Sequence, residues 1–278
     1  MASTPYPPPL QPTYPDRDGT MATELPPTRV ALVTGAAQGI GEAIARQLAD
    51  DGLDIALNDI PQKLDQLSAV AKVIESKGCR ATIVTGDVTV EEDVASMVSK
   101  TAAELGALDV MIANAGIFLF KPLLDTSVEE WERMLAINGK GVFLSIKYAA
   151  KKMIEQGRGG RIICAASVAG IRGSPVCGIY CASKFAVRGL VQSAALELKQ
   201  HGITVNAYCP GFIATPMIAL PGDEENGGTG QTIKKLLNYP AEVGKPSNVA
   251  NTVSYLAKPE SAFVTGQSMV IDGGLIMS

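Results

Sequence analysis

Arg29-Val-Ala-Leu-Val33-Thr34-Gly-Ala-Ala-Gln-Gly-Ile-Gly41, followed by Glu-Ala-Ile-Ala-Arg-Gln-Leu-Ala49, is the stretch on which the fold turns. An apolar run of strand type enters a glycine turn, and the residues after it recur with helical spacing. Gly35 and Gly39 allow a tight turn and a close backbone approach to a pyrophosphate, Gly41 allows helix and strand to pack closely, and the free N–H groups at the helix N-terminus favour an anion. A glycine-rich loop alone would mean little. Strand before and helix after make it a dinucleotide-binding turn.

Working outward, a second apolar run, Leu53-Asp-Ile-Ala-Leu-Asn58, ends at Asp59, eighteen residues after Gly41. A carboxylate there accepts hydrogen bonds from the adenosine ribose hydroxyls and repels a 2′-phosphate, so NAD(H) is expected over NADP(H). The lack of Arg or Lys at Ala36, Ala37 and Gln38 agrees. The alternative for Asp59 is a helix N-cap or turn residue beside Ile60-Pro61.

Further apolar runs near 80–85, 109–113, 160–166, 203–209 and 268–272 alternate with helical patterns, including long helices around 127–155 and 178–201. Such alternation predicts an α/β fold: one Rossmann-type domain with a doubly wound, seven-stranded parallel sheet and helices on both faces. Ligands then bind at the carboxyl ends of the strands, where the glycine turn, Asp59, Asn114, Ser167 and Pro210 all fall.

Thirteen residues beyond Ser167 lies Tyr180-Cys-Ala-Ser-Lys184. Positions four apart share a helix face, so an ammonium sits near a phenol. A phenol ionises near pKa ~10, and a neighbouring cation is expected to bring it toward the working range of a general acid–base. A solvated Tyr–Lys pair is the bland alternative, and the companion motifs decide against it.

With these motifs in order, the chain resembles the short-chain dehydrogenase/reductase family over about residues 28–278. Gly86-Asp87-Val88, Asn114-Ala115-Gly116, Asn138 before Gly141-Val-Phe, and Pro210-Gly211-Phe212-Ile213-Ala-Thr215 match as well. The resemblance implies that Ser167 hydrogen-bonds the substrate oxygen and Tyr180 exchanges its proton. Lys184 would bind the nicotinamide ribose and lower the Tyr180 pKa, and Asn138 would hold a water in the proton relay. It implies cofactor contacts at Gly35, Gln38, Gly39, Ile40, Gly41, Asp59, Ile60, Asp87, Val88, Asn114, Ala115, Gly116, Tyr180, Lys184, Pro210, Gly211, Ile213 and Thr215. Beside Ser167, substrate contacts are implied at Phe118, Ala169, Cys177, Phe212 and Met217, with Ile117, Val168 and Pro175 nearby. It also implies a homotetramer. The segment Asn58-Asp59-Ile60, with the stretch after Phe212, more weakly resembles diacetyl/acetoin and 2,3-butanediol dehydrogenases within the family. A small diketone and a bulkier secondary-metabolite alcohol both stay open as substrates.

Residues from Phe212 to about Pro240 combine Met217-Ile-Ala-Leu-Pro-Gly222 with the polar run Asp223-Glu-Glu-Asn-Gly-Gly-Thr-Gly230 and Ile233-Lys-Lys-Leu-Leu237. An apolar patch beside a glycine-rich hinge is expected of a lid, about 212–240, closing over substrate. Residues 1–28, with Pro-Tyr-Pro-Pro-Pro and Gln-Pro-Thr-Tyr-Pro, are expected to be a disordered proline-rich tail without the marks of a secretory signal, leaving residues 29–278 as the domain.

Composition excludes several classes. The net charge of −4 and a pI near 5.2 give no reason to bind nucleic acid or anionic membrane. Cys79, Cys164, Cys177, Cys181 and Cys209 are odd in number and lack metal-site spacing, which suits reduced packing thiols in a cytoplasmic protein without a metal. Ser167 lies in Ala-Ala-Ser-Val-Ala rather than a G-x-S-x-G elbow, and the sole histidine, His201, closes a helix, so a hydrolase triad is not expected. The expectation is therefore an NAD-dependent alcohol dehydrogenase or ketoreductase. From another class, the alternative is a non-catalytic NAD-binding sensor or scaffold, against which the Tyr–Lys pair argues.

Overall fold

The computed structural model describes residues 28–240 and 242–277, so the expected tail lies, except for Thr28, outside the described residues. Seven strands follow the apolar runs: β1 Val30–Thr34, β2 Asp54–Asn58, β3 Ala81–Ile83, β4 Val110–Ala113, β5 Gly160–Ala165, β6 Ile203–Pro210 and β7 Ser268–Ile271. They form one sheet in the order β3-β2-β1-β4-β5-β6-β7, with every neighbouring pair parallel. The doubly wound sheet read from the sequence is the one observed.

The helices are α1 Gly39–Asp50, α2 Leu64–Glu75, α3 Glu91–Leu105, α4 Val128–Leu135, α5 Gly141–Gln156, α6 Gly178–Leu198, α7 Gln231–Leu236 and α8 Pro246–Ala257. Successive strand side chains point to opposite faces, and the core divides accordingly. Val30 and Leu32 join Met97, Leu105, Ile146, Met153 and Val187 on the α3/α5/α6 face, while Ala31 and Val33 join Ile44, Leu48, Ile74, Val253 and Leu256 on the α1/α2/α8 face. A strand covered on both faces is mostly apolar on both, which is why these strands read as nearly continuous runs rather than alternating ones; buried polar exceptions such as Asp54 and Asn206 are hydrogen-bonded.

The connections leave β1 toward β2 on one side and β4 toward β5 on the other, so the strand order reverses between β1 and β4. That switch point opens a crevice at the carboxyl ends of the strands. Both the glycine turn after β1 and Asn114 after β4 stand at it.

Two expectations change in detail. The expected helix over 127–155 is not uniform: Ala136–Lys140 form a π turn between α4 and α5, and Gly141 N–H donates to Ala136 O, five residues back. The extra residue in that turn is not visible in apolar spacing, and π turns of this kind cluster at functional sites. The helix expected over 178–201 ends at Leu198 and tightens into a 3₁₀ turn through His201, closed by Gly202 at φ +69°. Among the described residues, no helix is long and apolar enough to cross a membrane.

Candidate active site

One cavity of about 920 Å³ runs along the carboxyl rim from Asp59, Ile60 and Lys63, past the glycine turn, to Ser167, Tyr180 and the segment 212–240. At its first end, Gly35 and Gly39 hold φ of +65° and +62°, a conformation for which glycine alone carries no steric cost. A Cβ on Gly41 would overlap the Gly35 carbonyl and stand 2.6 Å from Asn114 Nδ2. Gly41 therefore makes room for the turn itself and for Asn114, rather than for the strand in general. We expect Gly41→Ala to destabilise the protein by about 1–3 kcal/mol through overpacking, measured by urea denaturation; an unchanged midpoint would contradict the close packing of the turn.

Thr34 and Asn114 brace that turn. Thr34 Oγ1 accepts from the N–H groups of Asn114 and Ala115, each at 3.0 Å, and Asn114 Nδ2 donates to Thr34 O (2.8 Å) and Gly35 O (3.2 Å). Tyr208 OH donates to Asn114 Oδ1 at 2.8 Å. The Asn114 side chain is thus committed to the protein. Neither Thr34 nor Tyr208 was singled out by sequence, because a hydroxyl at a strand end carries no periodic signal.

Asp59 is no helix cap. Its Oδ2 accepts from Ala37 N–H at 3.2 Å and its Oδ1 from Ile60 N–H at 2.9 Å, which ties the end of β2 to the glycine turn and leaves the carboxylate half-buried on the cavity wall. Asp87 and Val88 line the same wall, as do Gly86 and Thr89. Lys63, four residues past Asp59, was not foreseen; its Nζ lies 3.4 Å from Gln38 Oε1 on the same lip. The 3₁₀ turn Pro61–Lys63 brings it there.

At the other end, β5 delivers Ser167 and α6 delivers Tyr180 and Lys184. Ser167 is buried, accepts from Ala169 N–H at 3.1 Å and donates to Pro210 O at 3.5 Å, which fixes its hydroxyl between two loops. The Tyr180 ring meets Phe118 edge-on, with centroids 4.9 Å apart at 90°. Burial pushes its phenol up to about 12, opposed by a hydrogen bond with Ser167. Lys184 is 3% exposed and donates to Ala165 O at 2.8 Å, and burial brings its ammonium down to about 8.

In this geometry burial, rather than Lys184, sets the direction of the Tyr180 shift. The ammonium stands 5.5 Å from the ring centroid and is bound to a main-chain carbonyl, and desolvation outweighs any help it gives. Helical spacing placed the pair on one face, but the depth of that face in the protein set the sign.

Asn138 is fully buried in the π turn. Its Oδ1 accepts from Ile117 N–H at 2.8 Å, and its amide donates to Ile117 O at 2.9 Å and to Ser183 Oγ at 3.1 Å, which in turn donates to Tyr180 O at 2.7 Å. The side chain braces the turn that carries Tyr180.

The remaining wall is apolar. Phe118, Ala169 and Cys177 cluster beside Tyr180, while Phe212 and Met217 line the cavity from the 212–240 segment. Leu237, Asn238, Tyr239 and Pro240 line it too, and Phe212 and Tyr239 rings pack at 4.4 Å, joining the segment's two ends. The polar run expected as a hinge is knit together by Asp223, whose carboxylate accepts from the N–H groups of Leu220, Gly230 and Thr232 at 3.0, 2.9 and 2.9 Å. Those bonds hold its carboxyl down at about 2. Ile40, Gly116, Gly211, Ile213 and Thr215 border the cavity as well, as do Val168 and Pro175.

One cavity thus joins a glycine cradle and the Asp59 carboxylate to the Ser167 and Tyr180 hydroxyls at its far end. A family model described as enoyl-(acyl carrier protein) reductase matches residues 35–276. A short-chain dehydrogenase/reductase of Armillaria gallica is 46% identical over 92% of this chain and 98% of its own. The L-2,3-butanediol dehydrogenase of Corynebacterium glutamicum is 42% identical over 90% and 99%. The crystal structure of acetoin dehydrogenase from Salmonella typhimurium superposes with a TM-score of 0.78 at 33% identity, covering 89% of this chain and 96% of that one. The protein is an oxidoreductase, and it belongs to the short-chain dehydrogenase/reductase family.

Proposed function

We propose that the protein is an NAD(H)-dependent oxidoreductase that interconverts a secondary alcohol and its ketone. The observation that carries this reading is the single cavity joining the glycine cradle and Asp59 to Ser167 and Tyr180. The residues fit a dinucleotide: two left-handed glycines and a third with no room for a Cβ form the cradle, and the Asp59 carboxylate lines the cavity where an adenosine ribose would lie. Gly35, Gln38, Gly39 and Ile40 would hold the pyrophosphate side, Asp59 and Ile60 the ribose, Asp87 and Val88 the adenine, and Gly116, Lys184, Pro210, Ile213 and Thr215 the nicotinamide half. Bound there, the nicotinamide supplies or accepts the hydride.

The chain's own residues handle the proton and the geometry. Ser167 Oγ orients the substrate oxygen, and Tyr180 Oη gives a proton to it during ketone reduction or takes one during alcohol oxidation. Lys184 anchors to Ala165 O and offers a buried cation on the same side. Asn138, through Ser183, holds the turn that presents Tyr180. With a substrate in the cleft, Phe118 and the 212–240 segment, acting as a lid, would keep water from the reacting oxygen. The exposed apolar side chains Phe143 and Phe185, on α5 and α6, support assembly into a homotetramer.

Within the secondary alcohols, the wall favours a bulky apolar substrate. Met217 is 46% exposed, belongs to none of the core clusters and lines the same cavity as Phe118 and Cys177, which supports room for a bulky apolar group between them. A four-carbon hydroxyketone, the kind of substrate in the names of the butanediol and acetoin relatives, would need that gap closed.

The test is an initial-rate panel with NADH or NAD⁺ against diacetyl, acetoin, 2-decalone and 2-decalol. Higher kcat/KM on the bicyclic pair is expected; higher values on diacetyl and acetoin would reverse the size assignment, and no turnover on any of them would remove the activity. Because burial keeps Tyr180 protonated through the neutral range, ketone reduction is expected to stay flat from about pH 6 to 8. Alcohol oxidation needs the deprotonated phenol and should rise by about tenfold per pH unit over the same range. A plateau in oxidation below neutrality would assign the proton to another group.

A further inference from the structure

We infer that Val176 is a positioning residue for the substrate: its left-handed backbone fixes the wall of the cleft formed by residues 174–177 against the wall that carries Phe118. The inference rests on the reading of that cleft as the substrate's. Among the described non-glycine residues, only Val176 (φ +54°) and Asn238 (φ +48°) occupy the left-handed region. Asparagine enters it readily. A β-branched residue does so against steric opposition, and such a conformation persists only where the surroundings impose it.

The surroundings at Val176 are specific. Lys121 N–H donates to Val176 O at 2.6 Å, and this bond joins the segment bearing Phe118 to the segment bearing Cys177. Cys177 follows at the start of α6, buried, with its Sγ 3.6 Å from Ser174 O and 3.7 Å from Cys181 Sγ, and it lines the cavity. Phe118 lies edge-on to Tyr180. One main-chain hydrogen bond, held by one strained residue, thus sets the separation of two walls that flank the reacting phenol. Relaxation of Val176 to negative φ would turn its carbonyl away from Lys121 and release residues 174–177.

Two substitutions separate the backbone effect from simple packing. Glycine accepts the same φ without strain but is free to leave it, whereas asparagine accepts it and keeps a restricted backbone. We expect Val176→Gly to raise KM for 2-decalone by about tenfold, with kcat and NADH affinity within about twofold of wild type. Alkylation of Cys177 by N-ethylmaleimide, followed by peptide mass spectrometry and independent of turnover, should accelerate by about tenfold on the same grounds. Val176→Asn should keep wild-type KM and alkylation rate and raise Tm, because it relieves the strain while holding the turn.

Wild-type KM and alkylation rate in Val176→Gly would overturn the inference, and so would a Val176→Asn protein that loosens like the glycine variant or melts earlier than wild type. Should Val176→Gly fail to fold, the Tm of Val176→Asn decides alone. If the wild-type protein turns over neither diacetyl nor 2-decalone, the proposed activity falls, while the alkylation rates still decide the role of Val176.

Discussion

Tyr180→Phe is expected to lower kcat/KM by about 10²-fold or more, the loss typical of a general acid–base group, while NADH affinity stays within about twofold. The substitution deletes one oxygen and keeps the ring. Phe118 would still meet the ring edge-on, and Lys184, bound to Ala165 O, would keep its place. What would disappear is the proton proposed to pass through Oη, together with the partner of the Ser167 hydroxyl. Steady-state rates with 2-decalone and 2-decalol, together with fluorescence titration of NADH, separate the two effects. Near-wild-type turnover would mean that another group carries the proton; loss of NADH binding would mean that the phenol acts mainly in holding the fold of the site.

Asp59→Ser should shift the ratio of kcat/KM for NADP(H) over NAD(H) upward by roughly 10²-fold. Two unit charges about 4 Å apart interact by about 4 kcal/mol at the effective dielectric of a protein surface, and partial exposure of the site reduces that figure. The change removes both a ribose acceptor and a repulsive charge. It also leaves Lys63 on the same lip, beside Gln38, as the cation a 2′-phosphate needs. Serine keeps a hydroxyl that can accept from the Ala37 or Ile60 N–H groups, so the loop is expected to hold its place. Rates with both cofactors check this, and an unchanged ratio would take Asp59 out of the specificity role.

Much of this site was legible because its parts follow chain-local rules. A glycine turn needs glycines at fixed offsets, a buried strand needs a largely apolar run, and a Tyr–Lys pair on one helix face needs four-residue spacing. Gly35, Gly39, Asp59, Ser167, Tyr180 and Lys184 come together on one cavity for these reasons. Lys63 and Tyr239 were missed because a polar residue in a short turn, or an aromatic at the end of a long loop, looks alike whether it borders a cavity or faces open solvent. The π turn at Asn138 was missed because one extra residue in a helix hardly disturbs apolar periodicity.

By itself, the sequence determined the parallel sheet, its seven strands and the chemical groups along its rim, since backbone hydrogen bonding and burial on two faces allow few other arrangements of these runs. Only the tertiary structure decided how those groups behave. Depth of burial, which no spacing encodes, pushes Tyr180 up to about 12 and brings Lys184 down to about 8. Long-range hydrogen bonds, which join residues far apart in the chain, turn Asn114 and Asn138 into braces and draw Val176 into a conformation that its side chain opposes. Charge, hydroxyl and ring are properties of residues. Desolvation and strain are properties of the places that the fold gives them.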